Sequence, residues 1–90
     1  MRAINPIKAG LAFGVVLGLF HLCWAALVAF GVAQAVIDFI LGLHFIAPFM
    51  TIQPFALPTA AMLVAITALI GFAIGVVFAI AWNALHPAER

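Results

Sequence analysis

The sequence predicts an all-α membrane protein: an antiparallel two-helix transmembrane hairpin with a short interfacial helix and a Pro-rich apolar loop between the spans. Three observations lead there. The 90 residues are 70% hydrophobic and 6% charged, far from the composition of a soluble domain. A water-soluble chain of this size buries too small a share of its surface to hide so much apolar area, so lipid is the expected solvent. Two long apolar runs, residues 9–33 and 60–82, are separated by a proline-containing connection. Finally, Arg2, Lys8 and Arg90 lie outside both runs, and the connection holds no Lys or Arg. A single membrane domain is expected over 1–90, with span 1 at 7–33, an interfacial segment at 34–58 and span 2 at 59–85.

The first run has His21 as its only strongly polar side chain. A helix of that length extends about 37 Å, enough to cross a hydrocarbon core of about 30 Å with some tilt. Asn5-Pro6 is a start signal: Asn accepts from free N–H groups of the first turn, and Pro at the first helical position forfeits no hydrogen bond. A cleaved signal peptide is the rival reading, with Ala33-Gln34-Ala35 resembling a cleavage site. The apolar run is too long for it.

The second run is interrupted only by Thr67. Thr59, after Pro58, is the expected helix cap, and Pro87 the stop, because it biases His86 away from helical geometry. The positive-inside rule then places both termini in the cytoplasm and the connection, which carries Asp38, on the opposite side.

Gly10, Gly14 and Gly18 recur every four residues in the first run, as do Thr67, Gly71, Gly75 and Ala79 in the second. Residues four apart share a helical face, and rows of small residues let backbones approach closely in lipid. One antiparallel register pairs Gly10 with Ala79, Gly14 with Gly75 and Gly18 with Gly71. It also brings His21 level with Thr67 and Trp24 level with Ala65. A polar side chain at that depth is a functional candidate. The plain expectation is a neutral imidazole bonded to Thr67 Oγ or to a backbone carbonyl; the sharper one is a ligand to haem iron or chlorophyll magnesium. Antenna polypeptides of photosynthetic bacteria also place a single His in a membrane helix, usually with a small residue four positions earlier, where this chain has Leu17.

The lone Cys23 allows no intrachain disulfide. Trp82 reads as an interfacial anchor, with Asn83 and His86 as headgroup contacts. Within the connection, 34–47 is too short to cross and suits a helix lying in the interface, or a bend-over continuation after Gly31. Gln34 and Asp38 share a face there, while His44 lies elsewhere, so no metal site is expected. Pro48, Pro54 and Pro58 exclude a regular helix over the remainder. Its free backbone groups must meet water or other protein, and its apolar side chains form a patch that suits either a partner or the membrane surface. Partner-contact candidates are Trp24, Phe45, Phe49 and Phe55.

The string from Gly18 through His21 and Trp24 to Ala25, the piece from Asp38 to Ala47 with its following Pro-Phe, and the ending Gly71 to Pro87 resemble a group of short, uncharacterised bacterial two-span inner-membrane proteins, some of them loosely labelled holin-like. The resemblance spans nearly the whole chain and implies a bacterial origin and a hairpin fold. It carries no activity and no functional residue.

No nucleophile–base pair is present in the pattern, so an enzyme is not expected, and the net charge of +1 offers no basic patch for nucleic acid. The expected function is that of a non-catalytic accessory or structural subunit of a larger membrane complex or homo-oligomer, with the lipid bilayer as its other partner. The alternatives are a holin-like or pore-forming oligomer and a haem- or chlorophyll-binding polypeptide resting on His21. Neither span carries a carboxylate, which argues against a pump or an ion-coupled carrier.

Overall fold

A computed structural model describes residues 3–87. Among them the chain is all-helical, with α1 at Pro6–Ala29, α2 at Ala33–Leu43 and α3 at Leu57–Leu85. α1 and α3 are the two helices long and apolar enough to cross a membrane. They pack side by side in a hairpin-like arrangement, while α2 makes a few contacts with α1. The result is a thin slab of 50 × 33 × 15 Å.

α1 begins where its sequence signal lies. Asn5 Oδ1 accepts from the Lys8 backbone N–H at 3.1 Å, and Pro6 occupies the first turn. The helix ends at Ala29, short of residue 33, because Gly31 takes φ +79°. The Gly31 and Val32 N–H groups then turn back to the carbonyls of Val28 and Leu27, a Schellman closure that needs a left-handed residue. α2 closes the same way, with Phe45 and Ile46 donating to Gly42 and Leu41. There the left-handed residue is Phe45, at φ 61°.

α3 starts two residues earlier than expected. Ala56 is its N-cap, Pro58 sits in the first turn, and no side chain caps the free N–H groups; Thr59 is therefore not the cap. Proline is tolerated in the first turn because its missing N–H has no intrahelical partner there. His86 and Pro87 end the helix as expected.

The buried residues are almost all small: Ala9, Ala25, Ala33 and Ala79, with Gly10, Gly14, Gly18, Gly71 and Gly75, and Leu41 alone among the larger ones. The apolar windows of both long helices are only 17% buried, far below what a core helix in a soluble protein shows. Their outer faces display residues such as Phe20, Leu69 and Val77.

The two small-residue rows meet, but one helical turn away from the expected register. A Cβ on Gly75 would collide with the Ala9 carbonyl and Gly10 Cα, and one on Gly71 would lie 2.6 Å from the Phe13 carbonyl oxygen. Gly14 faces Ala68 and Phe72, and Gly18 faces Ala68 and Val64. Gly75 thus opposes Ala9 and Gly10 instead of Gly14, and Gly71 opposes Phe13 and Leu17 instead of Gly18. A four-residue repeat on both helices is matched equally well after a one-turn slip, so spacing alone does not select the register.

Candidate functional site

His21 is half-buried. Its Nδ1–H donates to the Leu17 carbonyl at 2.8 Å, one turn back on its own helix, and its ring meets Phe20 edge-on at 5.2 Å. It makes no bond to Thr67, whose hydroxyl donates to the carbonyls of Leu63 and Val64. The polar pair expected across the interface is two separate side chains, each satisfied by its own backbone. His44 and His86 do the same, bonding Ile40 O at 2.7 Å and Trp82 O at 2.9 Å. The His21 bond is therefore a local habit of helical histidine in this chain and not an arrangement peculiar to a ligand site. Among the described residues no three His, Cys, Asp or Glu side chains gather to hold a metal ion, and Cys23 is exposed.

The polar contacts that join distant parts of the chain are made by two carboxamides. At one end Asn83 Oδ1 accepts from the Ile4 N–H and Asn83 Nδ2 donates to the Ile4 carbonyl, both at 2.8 Å. Asn83 thereby ties the segment before α1 to the end of α3. Beside it Phe78, Trp82 and His86 form an aromatic ladder, with Trp82 and His86 stacked at 4.1 Å.

At the other end Gln34, in the first turn of α2, reaches across to the proline-rich segment. Its Nε2 donates to Met50 O at 2.9 Å and its Oε1 accepts from the Ile52 N–H at 2.8 Å. The same Nε2 donates to Asp38 Oδ1 at 3.0 Å, on the face that the four-residue spacing gave them. Residues 46–56 form no helix or turn. One amide holding the carbonyl of one residue and the N–H of the residue two further on is the hydrogen-bond pattern of an extended strand.

The segment so held shows its aromatic side chains outward. Phe45 is 99% exposed and Phe49 69%, and Phe45 is presented on left-handed backbone that a bulky side chain rarely adopts. Phe55 and Trp24 differ: with Thr51, Gln53 and Thr59 they line a cavity of about 280 Å³ between α1, the segment and the start of α3. The four partner-contact candidates are thus two displayed aromatics and two that line the space beneath the segment. An open groove also runs along the surface of the helix pair, over Gly10, Gly14, Gly18, Ala65, Ala68 and Phe72.

Sequence reasoning missed both carboxamide ties and the strained Phe45. The available signal for the ties was an isolated Gln or Asn at each end of the apolar runs, beside an irregular segment whose backbone needs partners. No family model, curated protein or solved structure matches the chain.

Proposed function

We propose that the chain is a non-catalytic integral membrane protein of the bacterial cytoplasmic membrane that crosses twice, keeps both termini in the cytoplasm, and serves as an accessory subunit of a larger membrane complex or homo-oligomer. The length of α1, 24 residues, and of α3, 29 residues, supports crossing, at about 36 and 43 Å against a hydrocarbon core of about 30 Å. α3 exceeds the core and so tilts or extends into the interface. The outward display of large apolar residues on both helices supports lipid as their surroundings. Lys8, outside the connection, supports the orientation; Arg2 and Arg90, which carry the rest of the charge bias, lie outside the described residues. Bacterial origin rests on the sequence resemblance.

The single observation that carries the subunit reading is the connection. Its apolar side chains are exposed on a backbone segment that Gln34 fixes in place. Ordering it beforehand lowers the entropic cost of contact with a partner.

Extraction of a terminally tagged chain in mild detergent tests this. The expected result is recovery in stoichiometric amounts with a larger membrane complex or with further copies of itself. Recovery as a bare monomer from native membranes contradicts it.

A further inference from the structure

The polar side chains of this chain divide by whether they have a partner within it. Among the described residues both asparagines, all three histidines, Gln34, Asp38 and Thr67 are hydrogen-bonded to other groups of the chain. Of the Asn, Gln, Asp, Thr and His side chains described, Thr51, Gln53 and Thr59 alone make no such bond. Two of these come from the irregular segment and one from the first turn of α3. All three nevertheless line the same cavity of about 280 Å³, together with the aromatic side chains of Trp24 and Phe55. The unpaired polar groups are thus gathered in one place.

The chemistry of the walls narrows what would pair with them. No charged residue lines the cavity, so an ion leaving water for it would find no counter-charge. The two threonine hydroxyls, the Gln53 carboxamide and the Trp24 indole N–H all offer donors to an acceptor oxygen. Indole and phenyl faces carry negative charge density and stack well on an electron-poor ring. The volume lies just below the roughly 300–1,000 Å³ of pockets for drug-sized molecules, which suits a single ring. Thr51, Gln53, Phe55 and Thr59 are exposed and Trp24 is half-buried, so the cavity opens to the outside. Gln34 fixes the segment on either side of Thr51 through Met50 O and the Ile52 N–H. That wall is therefore set before a ligand arrives, which lowers the cost of binding.

We infer that this cavity binds an uncharged quinonoid ring, its carbonyl oxygens accepting from Gln53 and the threonine hydroxyls and its face packed against Trp24 and Phe55. In the proposed membrane setting the cavity lies at the outer boundary of the bilayer, where a lipid-soluble ring with polar oxygens concentrates. The site goes beyond the subunit reading, which rests on the displayed Phe45 and Phe49; neither of those residues lines the cavity.

Indole fluorescence of the full chain in phosphatidylcholine vesicles, titrated with duroquinone, tests this. In a Trp82→Phe background Trp24 is the only indole, and its quenching is expected to saturate. In the Trp24→Phe chain, quenching of Trp82 is expected to rise without saturation, as it does for a quinone merely dissolved in lipid. Gln53→Leu and Thr59→Val each remove one hydrogen bond to the ring. Each is expected to raise the half-saturating concentration roughly two- to tenfold, with helical circular dichroism unchanged. Durene, the same ring without its oxygens, is expected not to displace duroquinone, and neither is benzoate, which carries a charge. Quenching of Trp24 that never saturates overturns the inference, as does the same saturation at Trp82. An unchanged midpoint in both variants, or displacement by durene or benzoate, overturns it equally. Recovery with a larger complex, which reads the subunit proposal, is a separate measurement and stands or fails apart from these.

Discussion

Phe45 and Gln34 are the residues that most distinguish this connection from a passive link. Phe45 closes α2 in left-handed backbone that costs a bulky L-residue about 1–2 kcal/mol. Glycine does the same task without strain at Gly31. Phe45→Gly is expected to change hairpin stability by between nothing and about 1 kcal/mol in the stabilising direction, the strain relief being offset by the freedom glycine gains when unfolded. In the proposed reading the same substitution weakens recovery of the assembly. SDS-titration unfolding and mild-detergent size measurement separate the two effects, and a strongly destabilised hairpin contradicts the first. Gln34→Leu removes the acceptor of the Ile52 N–H and the donor to Met50 O with little change in side-chain size. Hydrogen exchange at the Ile52 amide is expected to accelerate while exchange in α1 and α3 is unchanged; unaltered protection at Ile52 shows that the amide does not hold the segment.

At the scale of the element, the contact between α1 and α3 is a contact of backbones. Three substitutions that each add one methyl group rank it. At Gly75 the new Cβ meets the Ala9 backbone, which cannot yield without moving α1; Gly75→Ala is expected to destabilise by about 1–3 kcal/mol, as overpacking does. At Gly18 the nearest atom is Ala68 Cβ at 3.4 Å, an ordinary contact, so Gly18→Ala is expected to range from neutral to about 1 kcal/mol stabilising. At Gly42 in α2 nothing lies within 4 Å, and Gly42→Ala favours the helix by up to about 1 kcal/mol. Equal effects at Gly75 and Gly18, read by SDS-titration unfolding, contradict the observed register. The helix types, the Asn5-Pro6 start and the Pro87 stop were legible because each depends on neighbouring residues. The register was not legible, because the Gly10, Gly14, Gly18 row and the Gly71, Gly75 row repeat with the same period. His21 and Thr67 were matched through that register, and the backbone carbonyl one turn back competed successfully for each. Gln34 and Asn83 were visible as polar residues, but their partners are main-chain groups 16 to 79 residues distant, which no local pattern encodes.

The whole molecule has almost no interior. Leu41 is the only buried residue larger than alanine among those described, and α1 and α3 meet along glycine and alanine. That is a poor design for water and a workable one for lipid, where close backbone approach replaces the hydrophobic drive and backbone groups outside helices must find partners. The two carboxamide ties answer that demand where the chain leaves its long helices. In the proposed membrane setting the tie at Asn83 lies on the cytoplasmic side and the segment held by Gln34 on the other. Labelling of single cysteines by a membrane-impermeant thiol reagent in intact spheroplasts, in a Cys23→Ser background, tests this arrangement most directly. Gln53→Cys is expected to label in intact cells, and Leu85→Cys only after the membrane is permeabilised. Labelling of both positions in intact cells, or of Leu85→Cys alone, contradicts a two-span hairpin with its connection on the outer face.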